Sequence, residues 1–212
     1  MAISGRGSNL EALLRALEAD GPAEIVLVIT DKAEAPGLEH AQRRGIPVTV
    51  LSDPGAPHAW LQSLHDKSID LLVLAGYLKL VPADVVAAYR GRIMNTHPSL
   101  LPAFGGKGMY GERVHRAVLA SGARETGVTI HLVDEAYDRG PILAQSRVPV
   151  REGDTPERLA ARVLEAEHRL LPAAVLAAAR AGRPVALEES GVRGQESGTP
   201  AANQGSSLRD RS

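Results

Sequence analysis

Two seven-residue stretches, Glu24–Thr30 (EIVLVIT) and Ile69–Ala75 (IDLLVLA), are almost continuously apolar. A strand with one wet face alternates apolar and polar residues, whereas a strand covered on both faces reads as an unbroken apolar run. Ile46–Leu51 and Gly91–Asn95 add two more strand-like runs. Asn9–Ala19, Gly37–Arg44 and His58–Lys67 carry helical spacing between them. This β-α-β-α rhythm predicts an α/β fold, a doubly wound and mostly parallel sheet with helices on both faces. Such sheets bind ligands beyond the carboxyl ends of their strands.

The pattern changes later in the chain. Arg113–Ala120 reads as a short helix, and Glu125–Val133 and Pro141–Val150 as two strands joined by the loop Asp134–Gly140, the expected place for antiparallel pairing. Thr155 then caps a helix running to about Ala181, with Pro156 in its first turn. Pro172 is expected to kink that helix or split it in two. After Gly182 the chain turns rich in Gly, Ser, Glu and Gln, so residues 1–182 read as one domain, 183–212 as a tail, and Glu188–Ser212 as disordered. A length of 212 residues suits one good-sized domain. The net charge of −1 provides no electrostatic footprint for nucleic acid or an anionic membrane. The absence of cysteine excludes disulfides, thiolate metal sites and a cysteine nucleophile, and fits a reducing cytoplasm. No apolar run approaches the length of a membrane span, and Met1-Ala2-Ile3-Ser4 is no signal peptide.

The chemistry-bearing stretch is Asn95-Thr96-His97-Pro98-Ser99-Leu100-Leu101-Pro102, which follows a strand ending near Met94. Residues two apart on a strand share a face, so Asn95 and His97 stand side by side, a hydrogen-bond donor next to a group that titrates near neutrality. A strand end with a chance histidine and a Pro-rich turn would look the same. Ser4-Gly5-Arg6-Gly7-Ser8-Asn9 leads into the first helix. It suits a phosphate cradle, in which backbone N–H groups and a helix N-terminus face an anion, and equally a plain glycine turn with a Ser or Asn cap. It matches neither the P-loop nor the G-x-G-x-x-G pattern. Phe104–Gly111 (FGGKGMYG) reads as a mobile loop beside the site, with Lys107 either functional or simply solvated. In the loop 134–140, a carboxylate facing His97 would favour the imidazolium, and Asp138 is the choice for it. His115 and His131 lie on separate elements with no metal-ligand spacing to His97, and read as surface or packed histidines. No G-x-S-x-G elbow is present, which argues against a serine hydrolase.

Taken together, SGRGSN, AGYLKLV, NTHPSLLP, GKGMYG, DEAYDRGPI and AEH resemble, in order and over residues 1–182, the phosphoribosylglycinamide formyltransferases, a folate-dependent family of purine synthesis. The resemblance implies a Rossmann-like formyltransferase fold. It implies that Gly7, Ser8 and Asn9 hold the ribonucleotide phosphate and that Glu167 binds the ribose or glycinamide part. Leu78, Lys79, Leu80 and Val81 would line the folate pocket. Asp134, Glu135, Ala136, Tyr137 and Asp138 would close over the pteridine, with Asn95 also touching the folate. Asn95, His97 and Asp138 match the catalytic trio. The co-substrate would be 10-formyltetrahydrofolate, with no metal, small molecules as the partners, and a homodimer the oligomer left open.

The chemistry expected on those residues is attack of the glycinamide amine on the formyl carbon. Asn95 and a protonated His97 would donate to the oxyanion, with Asp138 raising the His97 pKa. One rival is a formyltetrahydrofolate hydrolase, which would share the trio but carry an added regulatory domain for which this chain has no room. A formyltransferase acting on a tRNA-bound amine would need a basic region, and a phosphate-binding module with a degenerate site would need neither. Two features depart from the family. Only Met1-Ala2-Ile3 precede the glycine loop, where members carry a longer apolar strand, so either translation begins upstream or strand one is truncated. Near Pro57-His58-Ala59-Trp60 no arginine stands where many members contact the folate's glutamate tail, which leaves His58 as the polar residue of that stretch.

Overall fold

The computed structural model describes residues 1–17 and 21–187. Among these residues, seven strands form one sheet in the order β3-β2-β1-β4-β5-β6-β7. Strands β1 (Ala2–Ile3), β2 (Val28–Thr30), β3 (Val48–Val50), β4 (Leu72–Leu74) and β5 (Ile93–His97) run parallel. Strands β6 (Glu125–Leu132) and β7 (Ile142–Pro149) close the other side antiparallel, as the loop between them suggested. Helices α1 (Ser8–Leu17) and α6 (Pro156–Ala181) pack on one face. Helices α3 (Pro57–Asp66) and α4 (Ala83–Ala88) cover the other, around the fully buried Trp60. The short α2 (Leu38–Gln42) follows β2, and α5 (Glu112–Ala120) packs with α6 over β6. Among the described residues, no helix is long and apolar enough to cross a membrane.

The parallel strands are shorter than their apolar runs. β1 has only two residues, both fully buried, and it pairs with β2 on one side and β4 on the other. Residues ahead of Val28 and Leu72 therefore have no β1 residue opposite them, although Met1 N still donates to Leu27 O. β5 is the exception and runs two residues beyond Asn95, so His97 belongs to the ladder.

Two helices differ from expectation. Ala83–Ala88, which follows Pro82 and has Asp84 in its first turn, forms α4 where the sequence reading assigned none. Pro172 does not split α6, which runs unbroken for 26 residues. Proline inside a helix costs about 3 kcal/mol or more. Here Leu171, Pro172, Ala174 and Val175 are all buried, and each large apolar side chain buried contributes about 1.5–3 kcal/mol in return. Thr155 caps α6 by accepting from Arg158 N, and Gly182 ends it in the left-handed conformation, φ +66°. The chain then turns back, and Leu187 N donates to Leu143 O at the sheet edge. The last residues of the first expected helix, 18–19, and the expected disordered segment 188–212 lie outside the described residues.

Candidate active site

Strand order reverses at β1, whose neighbours β2 and β4 are reached by crossovers in opposite directions. Such a switch point opens a crevice beyond the carboxyl ends of the strands. The loops leaving β1 and β4 border it, tied together by Ser4. Ser4 N donates to Gly76 O, Leu78 N donates to Ser4 Oγ at 3.1 Å, and Ser4 Oγ donates to Asp31 Oδ1 at 2.5 Å. The cleft encloses about 940 Å³.

At one end lies the glycine loop. Gly7 adopts φ +68°, and a Cβ there would stand 2.7 Å from the Gly37 Cα, so both positions need glycine for the loop to lie against the turn before α2. Gly37 N donates to Gly5 O at 3.0 Å and fixes that contact. Ser8 and Asn9 open α1, where the first helical N–H groups lack intrahelical partners. Asn9 Nδ2 donates to Glu167 Oε2 at 3.0 Å, and Asn9 Oδ1 is buried without a partner among the described residues. Glu167 projects from α6 and also accepts from Thr96 Oγ1 at 3.2 Å. Burial pushes its carboxyl above the ordinary range, against the two hydrogen bonds.

At the centre stand Asn95, His97 and Asp138. Asp138 Oδ2 lies 3.5 Å from His97 Nδ1 and accepts from Gly106 N at 2.9 Å. Asp138 Oδ1 lies 3.5 Å from His131 Nε2. His97 Nε2 lies 2.8 Å from Phe104 O, which it meets as a donor. The turn bearing Phe104 is pinned to β6 by Thr129, whose hydroxyl donates to Ser99 O and accepts from Leu101 N. His131 Nδ1 donates to Leu132 O at 2.8 Å, so in the neutral ring Nε2 is an acceptor for Asn95 Nδ2, 3.0 Å away.

Burial pushes the His97 pKa down more strongly than Asp138, acting in the expected direction, pushes it up. His97 is 3% exposed, and desolvation outweighs the nearby Asp138 carboxylate, so its pKa falls below the ordinary imidazole value instead of rising. For Asp138, burial would raise the pKa. The contacts from His131, His97 and Gly106 outweigh it and hold the carboxyl below the usual range.

Of the residues expected at a site, Gly7, Ser8, Asn9, Glu167, Leu78, Lys79, Leu80, Val81, Asn95, His97, Ala136, Tyr137 and Asp138 all line this one cleft. Asp134 and Glu135 do not. Asp134 accepts from Ala136 N within the loop, and Glu135 is exposed and pairs with Arg90. Pro57–Trp60 line no part of the cleft either. The sequence reading took His131 and His115 as surface or packed histidines, and both are packed. His131 and His115 both line the cleft, at 2% and 5% exposure, and His115 Nδ1 has no hydrogen-bond partner among the described residues. No pattern in the sequence set His131 beside Asn95; the register of β6 against β5 does so.

An α/β sheet of this order, with Asn95, His97 and Asp138 in one cleft beyond its parallel strands, frames the comparison with known proteins. The family model described as formyl transferase matches residues 1–175, and the chain belongs to that family. It is 49% identical over 177 residues to the chloroplastic phosphoribosylglycinamide formyltransferase of Arabidopsis thaliana, a match over 79% of this chain and 60% of that protein. The chain thus spans less than two thirds of that plant relative. The crystal structure of phosphoribosylglycinamide formyltransferase from Brucella melitensis shares 48% identity over 88% of this chain and 95% of that one, with a TM-score of 0.74. A formyltetrahydrofolate deformylase from Pseudomonas syringae is similar in fold alone, with a TM-score of 0.75 at 24% identity over 85% of this chain and 60% of that one.

Proposed function

We propose that the protein transfers the formyl group of 10-formyltetrahydrofolate to the amine of glycinamide ribonucleotide, a step of purine synthesis. The observation that carries this reading is that one cleft holds the glycine loop and Glu167 at one end and Asn95, His97 and Asp138 at its centre. The loop Gly7–Asn9 takes the phosphate through backbone N–H groups at the start of α1. Glu167 accepts hydrogen bonds from the ribose or glycinamide part. Leu78, Leu80, Val81 and Tyr137 supply apolar surface for the folate ring system, and no step calls for a metal.

In this reading the substrate amine attacks the formyl carbon, a C–N bond forms, and negative charge develops on the former carbonyl oxygen. One Asn95 N–H is held by His131, which leaves the second for that oxygen. His97 enters the reaction neutral because its pKa is depressed. It receives the proton that the amine sheds, and Asp138 at 3.5 Å stabilises the imidazolium. The imidazolium then donates to the oxyanion and returns its proton to the folate nitrogen as the bond from that nitrogen to the formyl carbon breaks.

The test is a steady-state assay with both substrates, following folate absorbance and the formylated ribonucleotide together. Equal yields of the two products are expected. Folate product without formylated ribonucleotide would mean hydrolysis, and phosphate-ligand binding with no folate product would mean a binding module.

A further inference from the structure

Successive strand residues face opposite sides of a sheet, so Thr96 points away from the side that Asn95 and His97 share. Its hydroxyl donates to Glu167 Oε1, while Asn9 donates to Oε2. Thr96 and Glu167 are buried, at 7% and 8% exposure. Each carboxylate oxygen thus has one protein donor and lone pairs to spare, and the plane of the group is held from two directions. One anchor sits on the strand of the reacting centre, the other in the first turn of the helix that follows the glycine loop. The sheet itself does not need the Thr96 hydroxyl, because Thr96 is held in the sheet by its backbone register with Ile130 of β6 and any β-branched residue suits the position.

We propose that Thr96 is a positioning residue for glycinamide ribonucleotide: its hydroxyl holds the Glu167 carboxylate turned into the cleft, so that one strand sets both the reacting centre and the seat of the amine-bearing substrate. This rests on the role given to Glu167 above.

The experiment measures formyl transfer by the full chain as wild type, Thr96→Val, Thr96→Ala and Thr96→Ser, varying each substrate separately. Calorimetric binding of glycinamide ribonucleotide alone runs beside it. Losing a hydrogen bond to a charged group should raise KM and Kd for the ribonucleotide by roughly 10- to 100-fold in Thr96→Val. The folate KM should stay put, kcat should stay within about threefold, and Thr96→Ser should restore most of the loss, as expected when binding common to ground and transition states is removed. Thr96→Ala removes the same hydroxyl without added bulk and must show the same split, whether or not Thr96→Val folds. An unchanged ribonucleotide KM, a loss confined to kcat, a parallel rise in both KM values, or failure of Thr96→Ser to recover would each overturn the assignment. A wild-type chain that makes no formylated ribonucleotide would instead sink the functional reading, and this inference with it.

Discussion

Asp138 presents to His97 Nδ1, at 3.5 Å, the same carboxylate oxygen that accepts from Gly106 N. The acidic loop and the glycine-rich loop are therefore locked together at the imidazole. Asp138 adopts φ +56°, and a Cβ on Gly105 would stand 3.2 Å from the Asp138 Cβ. Positive φ in a residue other than glycine costs roughly 1–2 kcal/mol, so the contacts of Asp138 must outweigh that strain.

His97→Ala and Asp138→Asn should each lower kcat by about 10²- to 10⁴-fold, the usual contribution of a placed proton-transfer group. Circular dichroism should show both variants folded. Near-normal turnover by either purified variant would remove that residue from the mechanism.

The pH profile carries a sign. With its pKa depressed by burial, His97 stays neutral in the folded chain to lower pH than in the unfolded one. kcat/KM should then fall on the acid side through an ionisation below the ordinary imidazole value of about 6.5. Asp138→Asn removes a charge that favours the imidazolium, so it should move the His97 ring titration, followed by NMR, further to acid. Burial depresses the buried His115 as well. The unfolded chain therefore binds protons that the native one refuses, and stability should decline as pH falls below about 6.5. Urea midpoints at pH 7.5 and 5.5 check this, and equal midpoints would contradict it.

Gly7→Ala should damage the glycine-loop end of the cleft, where the ribonucleotide is proposed to bind. The new methyl meets the Gly37 Cα at 2.7 Å, a backbone contact that no side-chain rotation relieves, in a conformation that already disfavours alanine. A rise in KM for glycinamide ribonucleotide of at least about tenfold, with the folate KM little changed, is expected. Equal KM values would show that the loop does not touch that substrate.

Ser4→Ala should cost about 1–3 kcal/mol of stability in urea unfolding, because it strips the buried hydroxyl that links Leu78 N to Asp31. It should also raise the folate KM, since the loop after β4 keeps only the backbone bond from Ser4 N to Gly76 O as its tie to the loop after β1. A variant as stable as the parent with unchanged folate KM would mean that solvent replaces the link at no cost.

Much of this architecture was legible in the chain. Continuous apolar runs announced the covered strands, and the position of Asn95 and His97 at a strand's carboxyl end announced the crevice. What stayed hidden depends on partners distant in sequence. His131 joined the site through a cross-strand pairing that no local pattern encodes. The balance at His97 turned on how deeply it is buried, and sequence spacing supplies neighbours without depth. Pro172 broke a local rule because the packing around α6 outweighs one lost hydrogen bond. Glu135 and Asp134 shared a loop with Asp138 yet turned elsewhere, since a loop fixes proximity along the chain and not direction.

Register sets which groups meet at the reacting centre. Asn95 faces His131 and His97 faces Thr129 across β5 and β6, and β7 absorbs an irregularity beside His131. A one-residue slip in either central strand would send its side chains to the opposite face. Length changes in the surface loops leave that alignment intact, whereas a single-codon insertion or deletion within β5 or β6 would separate Asn95 from His131 and carry His97 off Thr129. These two short segments are therefore where the gain or loss of a single residue would disturb the cleft most.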